Sequence, residues 1–208
     1  MIKDKFKIIE KYIEGKDVLD CGCVGTQESG IHTPKFLHKK IVEYSKSVLG
    51  VDLSADGTEQ LRRSGFNVLC GNLETIDIGK KFDVIVAGDL IEHLSNPGMF
   101  LDNMKKHLRR DGVLILHTPN AFGITRFFQM LTKKHVEVNP DHACYYDVMT
   151  ITQLLKRHGY EEIECLYSDT FTPPLHKKII INSFIGISEG FADSILIIAR
   201  QESTKGRS

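Results

Sequence analysis

No sign of charge dominates this 208-residue chain: Lys and Arg number 27, Asp and Glu 27, and the formal net charge is zero. A protein that tracks a phosphate backbone carries a basic excess, so nucleic acid is a disfavoured partner. The five cysteines, Cys21, Cys23, Cys70, Cys144 and Cys165, include no CxxC pair, and an odd number cannot all pair within one chain. That usage fits a reduced, cytoplasmic setting rather than a disulfide scaffold. Long apolar runs are also missing. The longest conspicuous one, Ile179 to Ser188, has about half the ~20 residues that a membrane span needs. The first residues, MIKDKFKIIEKYIEGKD, mix charges every few positions and lack the apolar core of a signal peptide, so neither a cleaved leader nor a transmembrane helix is expected.

With 41% hydrophobic and 26% charged residues, the chain has enough apolar surface for one core, and a single domain over 1–208 is expected. Apolar runs alternate with helical patterns, the signature of strands joined by crossover helices. Phe6, Ile9 and Ile13 fall at helical spacing, and Gly15 supplies a stop before the strand Val18 to Cys21. Thr33 before Pro34 reads as an N-cap for a helix carrying Phe36, Leu37, Ile41 and Tyr44. Further strands are expected at Val48 to Val51, Phe66 to Cys70, Phe82 to Ala87 and Val113 to Leu116, with helices at Asp56 to Arg63 and after Asn96-Pro97. Asp111-Gly112 reads as the turn into the fifth strand. A helix through Val148, Ile151, Leu154 and Leu155 and strands at Ile163 to Tyr167 and Ile195 to Ala199 complete a doubly wound α/β fold with seven strands.

In such sheets ligands bind beyond the carboxyl ends of the strands, so chemistry is sought in Asp20 to Gly25, Asp52, Gly71 to Leu73, Gly88 to His93 and His117 to Asn120. Gly22 and Gly25 let backbone approach a ligand closely, a weak signal alone. About thirty residues after Asp20, Asp52 ends the second strand, where a carboxylate can accept from both hydroxyls of a ribose. The combination of an acidic turn, Asp52 and Gly71-Asn72-Leu73 is harder to obtain by chance than any one of them.

These residues resemble the class I S-adenosylmethionine-dependent methyltransferases, over nearly the whole chain. In that family a strand ending in D-x-G-x-G-x-G bends around the methionine part of the cofactor. Asp20 and Gly22 match it; Val24 and Thr26 stand where the other two glycines would fall, with Gly25 between them. The resemblance implies a Rossmann-like, mostly parallel sheet whose last strand, matched by Asp193 to Ala199, runs antiparallel. It further implies that S-adenosylmethionine is held by Asp20, Gly22, Cys23, Gly25, Asp52, Leu53, Asn72, Leu73, Gly88 and Asp89, with the ribose on Asp52 and the adenine edge on Asn72. A dinucleotide enzyme is the competing use of such a sheet. Its third glycine is absent here, and the charge of Asp20 would repel a pyrophosphate.

The most informative polar cluster is Gly88-Asp89-Leu90-Ile91-Glu92-His93. If a helical turn begins at once, Asp89, Glu92 and His93 face one point. His93 then serves as a general base for an acceptor hydroxyl, or the three join His142 on a divalent metal that lowers the acceptor's pKa. D-L-I-E-H, H-T-P-N at His117 to Asn120 and N-P-D-H at Asn139 to His142 together resemble small-RNA 2′-O-methyltransferases, which use such a cluster for a metal; ubiquinone-type O-methyltransferases share the E-H pair. The resemblance thus implies catalytic roles for His93, Glu92 and His142, with the metal left open. Cys21 and Cys23 read as small packing residues, and His32, His38, His107, His158 and His176 as surface or structural. Residues 120–146, with Phe122, Phe127, Phe128, Met130, Tyr145 and Tyr146, suit a lid over a small-molecule or glycan acceptor. The alternatives are a metal-dependent RNA-end methyltransferase and a nucleotide-binding module without catalysis.

Overall fold

The computed structural model describes residues 5–25, 30–33, 36–136, 138–168 and 184–203. The helical spacing of Phe6, Ile9 and Ile13 becomes the buried face of α1 (Lys5–Ile13), and Gly15, at φ +67°, turns the chain into β1 (Asp17–Cys21). A left-handed residue here favours glycine because any Cβ would be strained. Then follow α2 (Leu37–Tyr44), β2 (Ser47–Asp52), α3 (Ala55–Arg63), β3 (Val68–Cys70), β4 (Phe82–Gly88), α4 (Pro97–His107) and β5 (Leu108–Pro119). The last elements are α5 (Ile124–Lys133), α6 (Val148–Arg157), β6 (Tyr160–Ser168) and β7 (Ser194–Gln201). Asp147 starts α6 with a capping box, its carboxylate accepting from the Met149 and Thr150 amides while Thr150 answers the Asp147 amide.

Seven strands form one sheet in the order β3-β2-β1-β4-β5-β7-β6. β3, β2, β1, β4 and β5 pair in parallel, and β7 runs antiparallel between β5 and β6. Because side chains alternate along a strand, the sheet builds two cores. Ile85 and Ala87 face α4 and α6 through Phe100, Met104, Ile151 and Leu155, whereas Val84 and Val86 face α1 and α2 through Ile9, Ile13 and Ile41. The strand order reverses between β1 and β4, which are paired Cys21 to Ala87 at their carboxyl ends. The loops after these two strands therefore lie side by side, at the switch point where open α/β sheets bind ligands. Among the described residues no helix is long and apolar enough to cross a membrane.

Several boundaries differ from the expectation, among them the start of β6 at Tyr160 rather than Ile163, and three have a visible cause. α2 starts at Leu37 with no side-chain cap, and Thr33 instead donates its hydroxyl to the Gly30 carbonyl; Pro34 lies outside the described residues. β3 begins at Val68 rather than Phe66, because Phe66 packs as a ring against Phe36 and His38 while Val68 pairs with Gly50. β5 is longer than Val113 to Leu116. Leu108 already pairs with Phe82, and the register then jumps to Val113 opposite Val84, so Asp111-Gly112 lies in an excursion of the strand rather than before it.

Candidate active site

The turn after β1 is shaped by its own backbone hydrogen bonds. Gly22, at φ +78°, donates its amide to the Val51 carbonyl at 2.8 Å, and a Cβ there would come within 3.2 Å of Leu90. The Asp52 carboxylate ties this turn to the end of β2, accepting the Val24 amide at 3.0 Å and the Ser54 amide at 2.9 Å. Val24 occupies a position where the family pattern has glycine. Room for its side chain comes from Gly57 of α3, where a Cβ would lie only 2.5 Å from Val24 Cγ1. A glycine inside a helix costs about 0.5–1 kcal/mol relative to alanine, so the glycine missing from the turn is answered by one across the contact. Leu53 is exposed at the end of β2 and Leu73 is buried beyond β3. Asn72 accepts the Glu74 amide on Oδ1 at 2.9 Å, so the oxygen expected to meet an adenine edge also holds its own loop.

Cys21 and Cys23 are buried, the first with Sγ 3.6 Å from Met104 Sδ, and burial pushes both thiols well above their usual range. They are inert packing groups. Beneath them Asp20 is 2% exposed and its Oδ2 accepts from His38 Nδ1 at 2.7 Å, a pair closed in on both sides. Burial raises the Asp20 carboxyl, and the hydrogen bond from His38 opposes that rise. Sequence reasoning placed no constellation around His38. The one signal for its burial is its position three residues before Ile41, on the inward face of α2.

After β4 the chain does not enter a helical turn directly, and this separates residues expected to converge. Asp89 takes φ +53° and donates its amide to the His117 carbonyl at 2.8 Å. Its half-exposed carboxylate pairs with His117 Nδ1 at 2.7 Å and Lys5 Nζ at 2.7 Å. Burial alone would raise its pKa, but the His117 ring and the Lys5 ammonium hold it well below the usual carboxylate range. His117 Nε2 in turn meets Ser168 Oγ at 3.2 Å. The four-residue set Asp89, Glu92, His93 and His142 is thus corrected: Asp89 belongs to a separate chain of contacts with Lys5, His117 and Ser168.

The other three residues do meet. The 3₁₀ turn Ile91–His93 buries Glu92, whose Oε2 accepts the Thr118 hydroxyl at 2.9 Å and whose carbonyl accepts the Ala143 amide at 2.8 Å. That second bond draws the 139–143 segment over the turn and sets His142 against His93, ring to ring at 4.5 Å and 89°. Donor atoms of Glu92, His93 and His142 lie within 4.8 Å of one another. Glu92 Oε1 and His142 Nδ1 are buried with no partner. Burial, seconded by the Asp89 charge, pushes the Glu92 carboxyl up to about 7. His142 is held below its usual value by burial first, then by His93 and Arg126.

Beyond this trio, Asn120 clamps the chain after β5 by donating its amide to the Gly190 and Ala192 carbonyls at 2.8 and 2.7 Å. Arg126 stacks over Tyr145 at 4.9 Å, and Tyr145 abuts His142 at 5.7 Å. Within α5, Phe128 packs on Phe184, whereas Phe127 is 55% exposed. Thr26, His176 and residues 179–183 lie outside the described residues.

Residues 4–165 match a family model described as a methyltransferase domain. The ubiquinone biosynthesis O-methyltransferase of Glaesserella parasuis is 30% identical over 165 residues, covering 73% of this chain and 66% of that protein. A SAM-dependent methyltransferase of Archaeoglobus fulgidus superposes with TM-score 0.64 at 17% identity, covering 94% of this chain and 90% of the other. Magnesium protoporphyrin IX methyltransferase of Synechocystis, solved with bound SAH, gives 0.60 at 14% identity, over 95% and 79%. The chain spans about half to two thirds of the length of the curated relatives it matches.

Proposed function

From the premise that this chain belongs to the methyltransferase-domain family, we propose that it transfers a methyl group from S-adenosylmethionine to a hydroxyl of a small molecule or glycan. The observation that carries this reading is the meeting, at the β1–β4 switch point, of an acidic glycine-bearing turn with buried Glu92 and half-buried His93 and His142. The donor set suits the cofactor. Asp20 places a carboxyl under the turn, bonded to His38, and each Asp52 oxygen takes one amide, leaving lone pairs for ribose hydroxyls. Exposed Leu53 offers an apolar surface to a base.

When bound, the cofactor would supply a methyl carbon activated by a sulfonium, open to in-line attack by the acceptor oxygen with S-adenosylhomocysteine as the leaving group. What remains for the protein is positioning and one proton. His93 takes the hydroxyl proton as general base. The Asp141 carbonyl, 3.2 Å from its Nδ1, and the edge-on His142 ring hold it in place, and Glu92, poised near neutrality close by, shares the arriving charge. Calorimetry tests the assignment: S-adenosylmethionine or S-adenosylhomocysteine binds and NADH does not. A protein that binds the cofactor and turns over no acceptor in a methylation screen is instead a binding module.

A second reading is favoured by the unpartnered Glu92 Oε1 and His142 Nδ1, which with His93 could hold a divalent cation and so lower the acceptor's pKa. Mn²⁺ then raises the melting temperature of the wild type and not of His142→Ala. The net charge of zero supports a small acceptor over RNA. Turnover that collapses as salt rises would reverse that preference.

A further inference from the structure

We propose that His38 is a positioning residue for the cationic end of the cofactor: its Nδ1–H fixes the buried Asp20 carboxylate beneath the 20–25 turn, where that charge selects a ligand carrying an ammonium group. The inference rests on the S-adenosylmethionine reading above and adds a residue to it.

The geometry argues that the imidazole is there for Asp20. Asp20 lies between β2 and β4, in register with Gly50 and Val86, so water reaches it poorly. A carboxylate in such a place needs a donor, or it takes up a proton and loses its charge. His38, itself 1% exposed, supplies that donor at 2.7 Å. Its other nitrogen, Nε2, is buried with no partner, and the ring packs against Phe36 and Phe66. An orphaned buried nitrogen is costly, and an apolar side chain would avoid that cost in an aromatic pocket. The backbone makes a second concession. Gly50 stands inside β2, and a Cβ there would come within 2.8 Å of His38 Cε1 and 2.7 Å of Cys23 Sγ. Glycine weakens a strand, so β2 gives up a side chain to admit the ring.

The service rendered in return is the charge on Asp20. Burial and the neighbouring Asp52 both push this carboxyl toward its neutral form, and His38 is the group that opposes them. The thiols of Cys21 and Cys23 remain protonated, so they add no charge. An anion held under the turn acts on a cation above it through a poorly screening layer. It therefore discriminates between S-adenosylhomocysteine, which bears an ammonium group, and methylthioadenosine, which shares the adenosine and thioether but lacks that group.

The test is calorimetry of both ligands with the wild type, His38→Leu and His38→Asn. His38→Leu is expected to weaken S-adenosylhomocysteine about tenfold or more, the scale of one hydrogen bond to a charged group, while methylthioadenosine changes by less than about twofold. His38→Asn can present an N–H from a similar point and is expected to restore most of the lost affinity. If His38→Leu fails to fold, Asp20→Asn in the presence of His38 is expected to show the same selective loss. Equal weakening of the two ligands, unchanged S-adenosylhomocysteine affinity, or no rescue by a folded His38→Asn would overturn the inference. A wild type that binds neither ligand overturns the cofactor reading itself.

Discussion

The ends of β1 and β2 and the ends of β4 and β5 share one edge of the sheet, yet they use polar groups in opposite ways. Around β1 and β2 the carboxylates turn inward: Asp52 holds the Val24 and Ser54 amides, and Asp20 is held by His38. Around β4 and β5 two carboxylates three residues apart diverge. Asp89, beside His117 and Lys5, is kept well below the usual range, while Glu92 is raised to about 7 and keeps an oxygen without a partner. A surface that must only bind can use its side chains to set the backbone. A site that moves a proton needs a group whose proton affinity is near neutral, and burial without full pairing produces that.

The comparison breaks first at His93. His93→Ala is expected to lower turnover by about 10²–10⁴-fold, the usual contribution of a general base, with cofactor affinity unchanged by calorimetry. If affinity falls as far as turnover, the two edges are not separate in function. Next comes Glu92. Its folded-state carboxyl lies above the ordinary value of 4.5, so the unfolded chain gives up this proton first. The stability linked to it is complete below about pH 4.5 and is lost as pH rises through about 7. Glu92→Gln keeps the Thr118 acceptor without the charge and is expected to be more stable than the wild type at pH 8 by about 3 kcal/mol, and less so at lower pH. Denaturant titrations with chelator, at several pH values, read this directly. A difference independent of pH would show that Glu92 is not strained by ionisation.

Asp52→Ala tests the other edge. The ribose loses a charged acceptor and the turn loses two amide bonds, so cofactor binding should weaken by about 1.5–3 kcal/mol. Asp52→Asn, which keeps one acceptor oxygen, should fall between, and normal binding by the alanine variant would remove Asp52 from the site. The smallest effect is expected at Phe127. Phe127 is exposed and meets Phe128 edge-on with ring centroids 6.0 Å apart, so Phe127→Ala should change stability by no more than about 1 kcal/mol. If residues 120–146 cover an acceptor, its apparent KM rises several-fold and cofactor affinity stays the same.

Where a signal was local and repeated, it was legible in the residues. The alternating apolar runs mark all seven strands, and the strand ends point to the turn after β1 and to Glu92-His93. Boundaries set by neighbours were less legible. Phe66 looks like the start of β3, yet it serves as a ring for His38, and the excursion in β5 depends on what β4 presents opposite it.

The doubly wound sheet follows from the order of residues alone, because periods of two and of 3.6 residues sort side chains onto faces wherever a chain folds. The resemblance of the chain's motifs implied that Asp89, Glu92, His93 and His142 belong to one site. Only the tertiary structure decided which of those polar groups meet. Asp89 turns to His117 and Lys5 because its own backbone is left-handed, held by the bond from its amide to the next strand, before the 3₁₀ turn begins. Val24 fits a glycine's place because Gly57 faces it from another helix, and His38 reaches Asp20 because Gly50 opens β2. Each is a pairing across separate elements. Sequence spacing fixes neighbours within an element, whereas contacts between elements follow from packing, where the presence or absence of one Cβ decides what fits.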